Sequence, residues 1–313
     1  MRQITLAVVL LSALAATALA TTAELWPGNL PPRTRDLTLS ADGRLSLVCV
    51  MVGGFRYSTL ICDDGRGPHV PAFAADPRWK TLEPHLAPSG RRLFFVSDRP
   101  APDADTDVGN EDIWLVDYTW QDARVVWGEP RPVGAPVNSA AAEFFPSLTR
   151  DGSLYFTRRA ADSGVERIMC ARPDGQGGWR EPEALPEAVN AGATRFNAFV
   201  DPDERYLIVC VAGHPENLGQ VDYWIAFRDP DGRWRGPTNL GAEVNGPGRE
   251  GWSPYVTPDG AWFYFMSARD GILETAPLTY ARVLELHGSP GNGLGHLWRL
   301  PAEMLDGLRP AAD

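Results

Sequence analysis

The side chains best able to do chemistry are acids and arginines set beside turns. DADTDVGNED, from Asp103 to Asp112, places Asp103, Asp105 and Asp107 at alternate positions with Asn110 and Glu111 behind them. Such a run can present several oxygens to Ca²⁺, a hard cation that takes oxygen ligands. Its glycine, Gly109, stands one place later than a calcium loop requires, so a solvated acidic loop is the competing reading. A second set, Glu143, Arg195, Arg249 and Glu250, offers the acids and guanidiniums that a glycan-cleaving or glycan-holding site uses. His214, in HPENLGQ, completes this candidate ligand face. The acid ahead of the inner strand recurs in successive copies, however, and a recurring residue serves packing or a backbone hydrogen bond. His69, His85, His214, His287 and His296 form no H-x-H or H-E-x-x-H pair for a metal, and no G-x-S-x-G elbow is present. No catalytic residue follows from these patterns, and calcium is the only cofactor they suggest.

The elements that position these residues come from a repeat. EFFPSLTRDGSLYFTRR from Glu143 is matched by RFNAFVDPDERYLIVCVAG from Arg195, LEPHLAPSGRRLFFVSDRP from Leu82, EGWSPYVTPDGAWFYFMSARD from Glu250 and DLTLSADGRLSLVCV from Asp36. Each is a strand a, a tight turn such as Asp151-Gly152 or Asp259-Gly260, and an aromatic strand b. Strand c follows (Ile113-Trp114-Leu115, Tyr223-Trp224-Ile225), then a polar turn and a strand d with Trp179 or Trp234; copies close on Asn138, Asn190 and Asn245. Four-stranded sheets apolar on both faces must stack around an axis. The expectation is therefore an all-β propeller of about five blades, since a sixth would need a hairpin that is not found. The last copy lacks strand d after HLWRL, and Glu24 to Leu30 resembles WRGPTNL from Trp234, so the segment after residue 20 is expected to close the ring. The b–c and d–a loops then share one face, which carries the acidic loop, HPENLGQ and the insertion from Gly271 to Gly295. In that insertion LTYARVLELHG is expected to form a helix capped by Thr279 and stopped at Gly288.

Residues 1–20 read as a signal peptide, with Arg2, an apolar run from Ile4 to Ala16 and Ala18-Leu19-Ala20 as cleavage site; an uncleaved N-terminal anchor is the alternative. Residues 21–313 read as one domain, with no later membrane span, in the periplasm or outside the cell. The formal net charge of −11 argues against nucleic acid as a partner. Cys49, Cys62, Cys170 and Cys210 leave two possibilities open, disulfides or buried free thiols.

The E-x-x-P…DG-x-LYF hairpin, the DIW strand, the W-x-x-P-x-x-L-x-x-x-VN segment and PGNGLGHLW near Pro290 resemble the exported TolB-like, WD40-like β-propeller repeat proteins, from about Trp26 to Pro310. Ala198, Asp203-Glu204 and His296 depart from the pattern. The resemblance implies a propeller and no particular activity. The reading is a non-catalytic module whose loop-bearing face binds a protein or an envelope glycan. The alternative is a carbohydrate-active enzyme, a hydrolase or lyase, at the channel mouth.

Overall fold

A computed structural model describes residues 23–26, 30–102, 109–192, 194–269 and 277–310. Asp103, Asp105, Asp107 and the expected signal peptide lie outside these residues. The described residues form five antiparallel blades arranged as a β-propeller. Blade 1 holds Thr34–Leu39, Ser46–Val52 and Tyr57–Asp63, with its outermost place reduced to a bridge between Cys62 and His69. Blade 2 runs Thr81–Leu86, Arg92–Ser97 and the long Asp112–Gln121, against which Arg124–Trp127 and Arg131–Pro132 both pair. Blade 3 is Ala142–Leu148, Leu154–Arg159, Glu166–Ala171 and Glu183–Ala184. Blade 4 is Arg195–Val200, Tyr206–Ala212, Val221–Arg228 and Trp234–Asn239. Blade 5 takes Tyr255–Val256, Trp262–Ser267 and His296–Pro301 from late in the sequence and Glu24–Leu25 from early in it.

The expected ring closure is present. Glu24 lies opposite Arg299 and Leu25 opposite Trp298, the Trp26 amide donates to the Leu297 carbonyl at 2.9 Å, and Trp26 packs on Tyr264 with centroids 4.9 Å apart. Apolar residues of successive strands b fill the spaces between blades: Phe94, Phe95, Phe156, Phe263 and Phe265 are fully buried. Each such side chain contributes about 1.5–3 kcal/mol by leaving water.

The asparagine that ends each repeat has a definite job. Asn138, Asn190 and Asn245 each accept from the amide of a strand c residue through Oδ1 and donate to its carbonyl through Nδ2. Their partners are Ile113, Ile168 and Tyr223, at 2.8 to 3.1 Å. The side-chain amide thus imitates one residue of an outer strand, tying the d–a connection down where strand d has ended.

A helix spans Tyr280–Gly288, its Arg282 amide donating to the Thr279 hydroxyl at 3.2 Å. Gly288 is its last residue and Ser289 its C-cap. All four cysteines are free and buried. Cys49 and Cys62 lie on adjacent strands but out of register, Cys49 opposite Leu60 and Cys62 opposite Leu47. Burial pushes the Cys49 and Cys210 thiols well up, which keeps them protonated and unreactive.

Candidate functional site

The inner strands build the channel. In four of them a residue with left-handed backbone interrupts the pairing: Asp36, Glu83, Phe145 and Asn197, at φ +56°, +53°, +53° and +49°. The register shifts there, between Arg35 and Thr38, Leu82 and His85, Phe144 and Ser147, and Phe196 and Phe199. Each bulge re-aims the side chains on either side of it and frees backbone amides toward the neighbouring blade.

Two layers of polar contacts between blades result. In the layer nearer the a–b turns, side chains accept amide hydrogens of the next blade: Thr38 from Leu86 at 2.9 Å, His85 Nε2 from Leu148 at 3.0 Å, Ser147 from Val200 at 3.0 Å and Tyr255 from Leu39 at 2.9 Å. The channel at this end is a mainly apolar recess of about 140 Å³ lined by Leu86, Leu148, Phe199, Tyr255 and Val256. Burial holds His85 well below the usual histidine range, at about 4, so its ring is neutral and free to accept.

The layer nearer the loops carries charge. Arg35 donates through Nε to Asp36 at 2.6 Å and through Nη2 to Glu83 at 2.7 Å, and all three side chains are nearly inaccessible. Glu83 also accepts from the Phe145 amide at 2.7 Å, and Asp36 accepts from the Ser253 hydroxyl. Asn197 Nδ2 donates to the Trp252 carbonyl at 2.5 Å, while the Asn197 amide donates to Thr157 at 2.9 Å. Burial pushes the Glu83 carboxyl up, to about 8; Arg35 opposes this shift and Asp36 adds to it. Burial, with a second carboxyl close by, thus favours the protonated form of Glu83.

Above this layer opens a cavity of about 320 Å³ to which all five blades contribute: Arg35 and Phe55 from blade 1, Leu82, Glu83 and Glu111 from blade 2, Phe144, Arg159 and Glu166 from blade 3, Phe196 and Asn197 from blade 4 and Trp252 from blade 5. Arg159 lies over Phe144 at 4.9 Å and pairs with Glu166 at 2.9 Å and Glu111 at 3.5 Å. Asn197 Oδ1 is buried with no partner among the described residues. A smaller recess of about 160 Å³, lined by Thr34, Met51, Glu250 and Met266, shares Arg35, Phe55 and Trp252 with it. Phe55 sits at a hairpin tip with φ +72°, a conformation that a bulky side chain rarely adopts, and its ring meets Trp252 with centroids 5.8 Å apart.

The sequence-derived candidates do not converge on this cavity. Glu143 is fully buried and takes Arg158 at 2.7 Å, the Ser139 amide at 2.9 Å and the Ser139 hydroxyl at 2.5 Å, all in the same blade or its entry loop. Arg195 is buried and donates to the carbonyls of Val189 and Ala191 at 3.2 and 2.8 Å. Arg249 donates to the Ala242 carbonyl at 2.6 Å, and His214 packs edge-on against Trp224 with centroids 4.5 Å apart. Among the described candidates, Glu250 alone lines the mouth, in the smaller recess. Among the described residues no group of three or more His, Cys, Asp or Glu side chains is placed to hold a metal. No described helix is long and apolar enough to cross a membrane. Sequence patterns do not single out Arg35, Asp36, Glu83 or Asn197. The signal that could find them is their position, since the second and third residues of strand a vary among blades while the flanking pattern repeats.

No protein-family model and no curated protein matches this sequence. Among solved structures it is similar to BT0996 in an RGII complex, with a TM-score of 0.50 and 10% identity over 89% of this protein and 90% of that one. It is also similar to a putative TolB from Agrobacterium tumefaciens (TM-score 0.47, 13% identity, 86% and 90% covered) and to the native arabinanase Arb43A of Bacillus subtilis (TM-score 0.49, 11% identity, 89% and 95% covered). The first of these likenesses supports the propeller fold. None carries a function across at such identity.

Proposed function

We propose that the protein is an exported glycan-binding propeller whose site is the loop-side mouth of the channel. The observation that carries this reading is the lining of the mouth. Phe55, Phe144, Phe196 and Trp252 come from four blades and surround Arg35 and the unpartnered Asn197 Oδ1. Aromatic faces pack against the C–H faces of a sugar, and a few buried polar atoms fix its hydroxyls, which is the usual division of labour in a cleft of about 300–1,000 Å³. The buried charges are committed already: Asp36 and Glu83 share Arg35 and bond to blades 5 and 3. That commitment favours binding over cleavage. Export rests on the N-terminal sequence of charged, apolar and small residues.

One observation favours an enzyme instead. Glu83 lines the mouth and is pushed toward its protonated form, and a carboxyl kept protonated is what the general acid of glycoside cleavage requires. The test is a screen of the purified protein on immobilised glycans, with captured glycans then incubated and assayed for new reducing ends. Retention without new ends is the expected result. New reducing ends that vanish in Glu83→Gln would replace the binding reading with the enzymatic one.

A further inference from the structure

At the outer edge of the ring, a cleft of about 580 Å³ separates the outer strands of blades 3 and 4, with its arginines beside the c–d turns. Its lining includes Arg172 and Arg180 from blade 3, Arg228 and Arg233 from blade 4, and the ring of Trp234. Arg172 and Arg228 both pair with the one carboxylate of Glu204, through Oε1 and Oε2, and the Tyr155 hydroxyl donates to Oε1 at 2.7 Å. Glu204 occupies the a–b turn of blade 4 with φ +55°, in the place where Gly152 and Gly260 take +86° and +70°. A side chain there costs about 1–2 kcal/mol that glycine avoids. What the glutamate contributes is the clamp, which holds two guanidiniums side by side across the blade boundary. Arg172 also stands 4.0 Å from the exposed Asp151 carboxylate, so Glu204, Asp151 and Asp231 face the four guanidiniums of this floor and leave one in excess, in a protein whose formal net charge is −11. Arg233 pairs with Asp231 at 3.3 Å, and Glu181 and Glu183 stand exposed on the blade 3 wall.

We propose that this cleft is a second ligand site, one that takes the carboxylate of an acidic sugar. Guanidiniums fixed in place bind a carboxylate through paired N–H donors with little further ordering. The exposed carboxylates of Glu181 and Glu183 accept from sugar hydroxyls, and Leu185, Pro186 and Trp234 give the cleft an apolar wall. A cationic floor with acceptors along one wall matches a uronate better than a bare anion, which would meet those acids without hydroxyls to offer them. The cleft shares no lining residue with the channel mouth.

Calorimetric titration of trigalacturonate, galactotriose and inorganic phosphate into the wild-type protein and into Trp252→Ala tests the proposal. Trigalacturonate is expected to bind both proteins equally. Galactotriose is expected not to bind Trp252→Ala, and phosphate to bind at least about tenfold more weakly than trigalacturonate. Arg172→Gln is expected to abolish the uronate signal. Because Arg172 also joins two blades, the exposed-side double variant Arg180→Ala/Arg233→Ala, checked for an unchanged melting temperature, decides the matter by an affinity loss of about tenfold. Absence of trigalacturonate binding, equal binding of galactotriose to Trp252→Ala, phosphate binding as tight as trigalacturonate, or unchanged affinity in the double variant would overturn it.

Discussion

The two ends of the channel are built by the same five inner strands and do different things. Near the a–b turns, Thr38, His85, Ser147 and Tyr255 repeat one act, accepting an amide hydrogen from the next blade, and the space around them is mainly apolar. Near the loops, Arg35, Asp36, Glu83 and Asn197 differ from blade to blade, bring buried charge together and leave Asn197 Oδ1 without a partner among the described residues. Residue types that recur in role close the ring, while those that break the recurrence make a site. A buried charge and an unpaired oxygen are costs that a purely structural channel avoids.

The largest expected effect falls on the charged end. Arg35→Ala leaves Asp36 and Glu83 buried without their cation and is expected to lower stability by about 3–5 kcal/mol in chemical denaturation at neutral pH. A loss within about 0.5 kcal/mol, the range of an ordinary surface substitution, would mean that Arg35 is not coupled to the two carboxyls.

His85 probes the apolar end through pH. Its folded value near 4 lies below the ordinary histidine value near 6.5, so the unfolded state takes up the proton more readily. Its contribution is therefore full above about pH 6.5 and is lost as pH falls toward 4, by on the order of 3 kcal/mol. The difference in stability between wild type and His85→Gln, which keeps an acceptor without titrating, should narrow or reverse across that interval. A difference that stays constant from pH 7 to 4 would contradict a buried neutral ring.

Phe55 separates stability from binding at the loop-side end. Phe55→Gly relieves a left-handed backbone and should raise stability by up to about 1 kcal/mol while weakening glycan retention. If retention is unchanged, the hairpin tip is not part of the site. Smallest of all is the effect of reductant: four buried free thiols predict a melting temperature unchanged by dithiothreitol, and a drop would reveal a disulfide.

Much of this architecture is legible in the amino-acid sequence. Turn pairs such as Asp151-Gly152, the aromatic strands b and the likeness of Glu24–Leu30 to the segment after Trp234 point to five blades and to closure by the N-terminal strand, because turn chemistry and alternation are local signals. Thr279 is readable as a helix cap for the same reason. The channel is not. Glu143 and Arg195 lead their inner strands as expected, yet they turn to neighbours in the same blade or its entry loop. Bulges at Asp36, Glu83 and Asn197 re-aim the residues beside them, and no local pattern announces a left-handed aspartate or glutamate within a strand. The clamp at Glu204 is visible in the sequence only as a departure from Asp-Gly; its partners, Arg172 and Arg228, are 32 and 24 residues away.

The most direct test of the loop-side mouth as the binding site is the affinity of Trp252→Ala for a glycan that the wild-type protein retains. The ring lines both recesses of the mouth and lies on no strand that closes the propeller. The expected result is an affinity loss of at least about tenfold with the melting temperature held, corresponding to about 1.4 kcal/mol of binding energy. Unchanged affinity in a folded Trp252→Ala protein would contradict a site at the mouth.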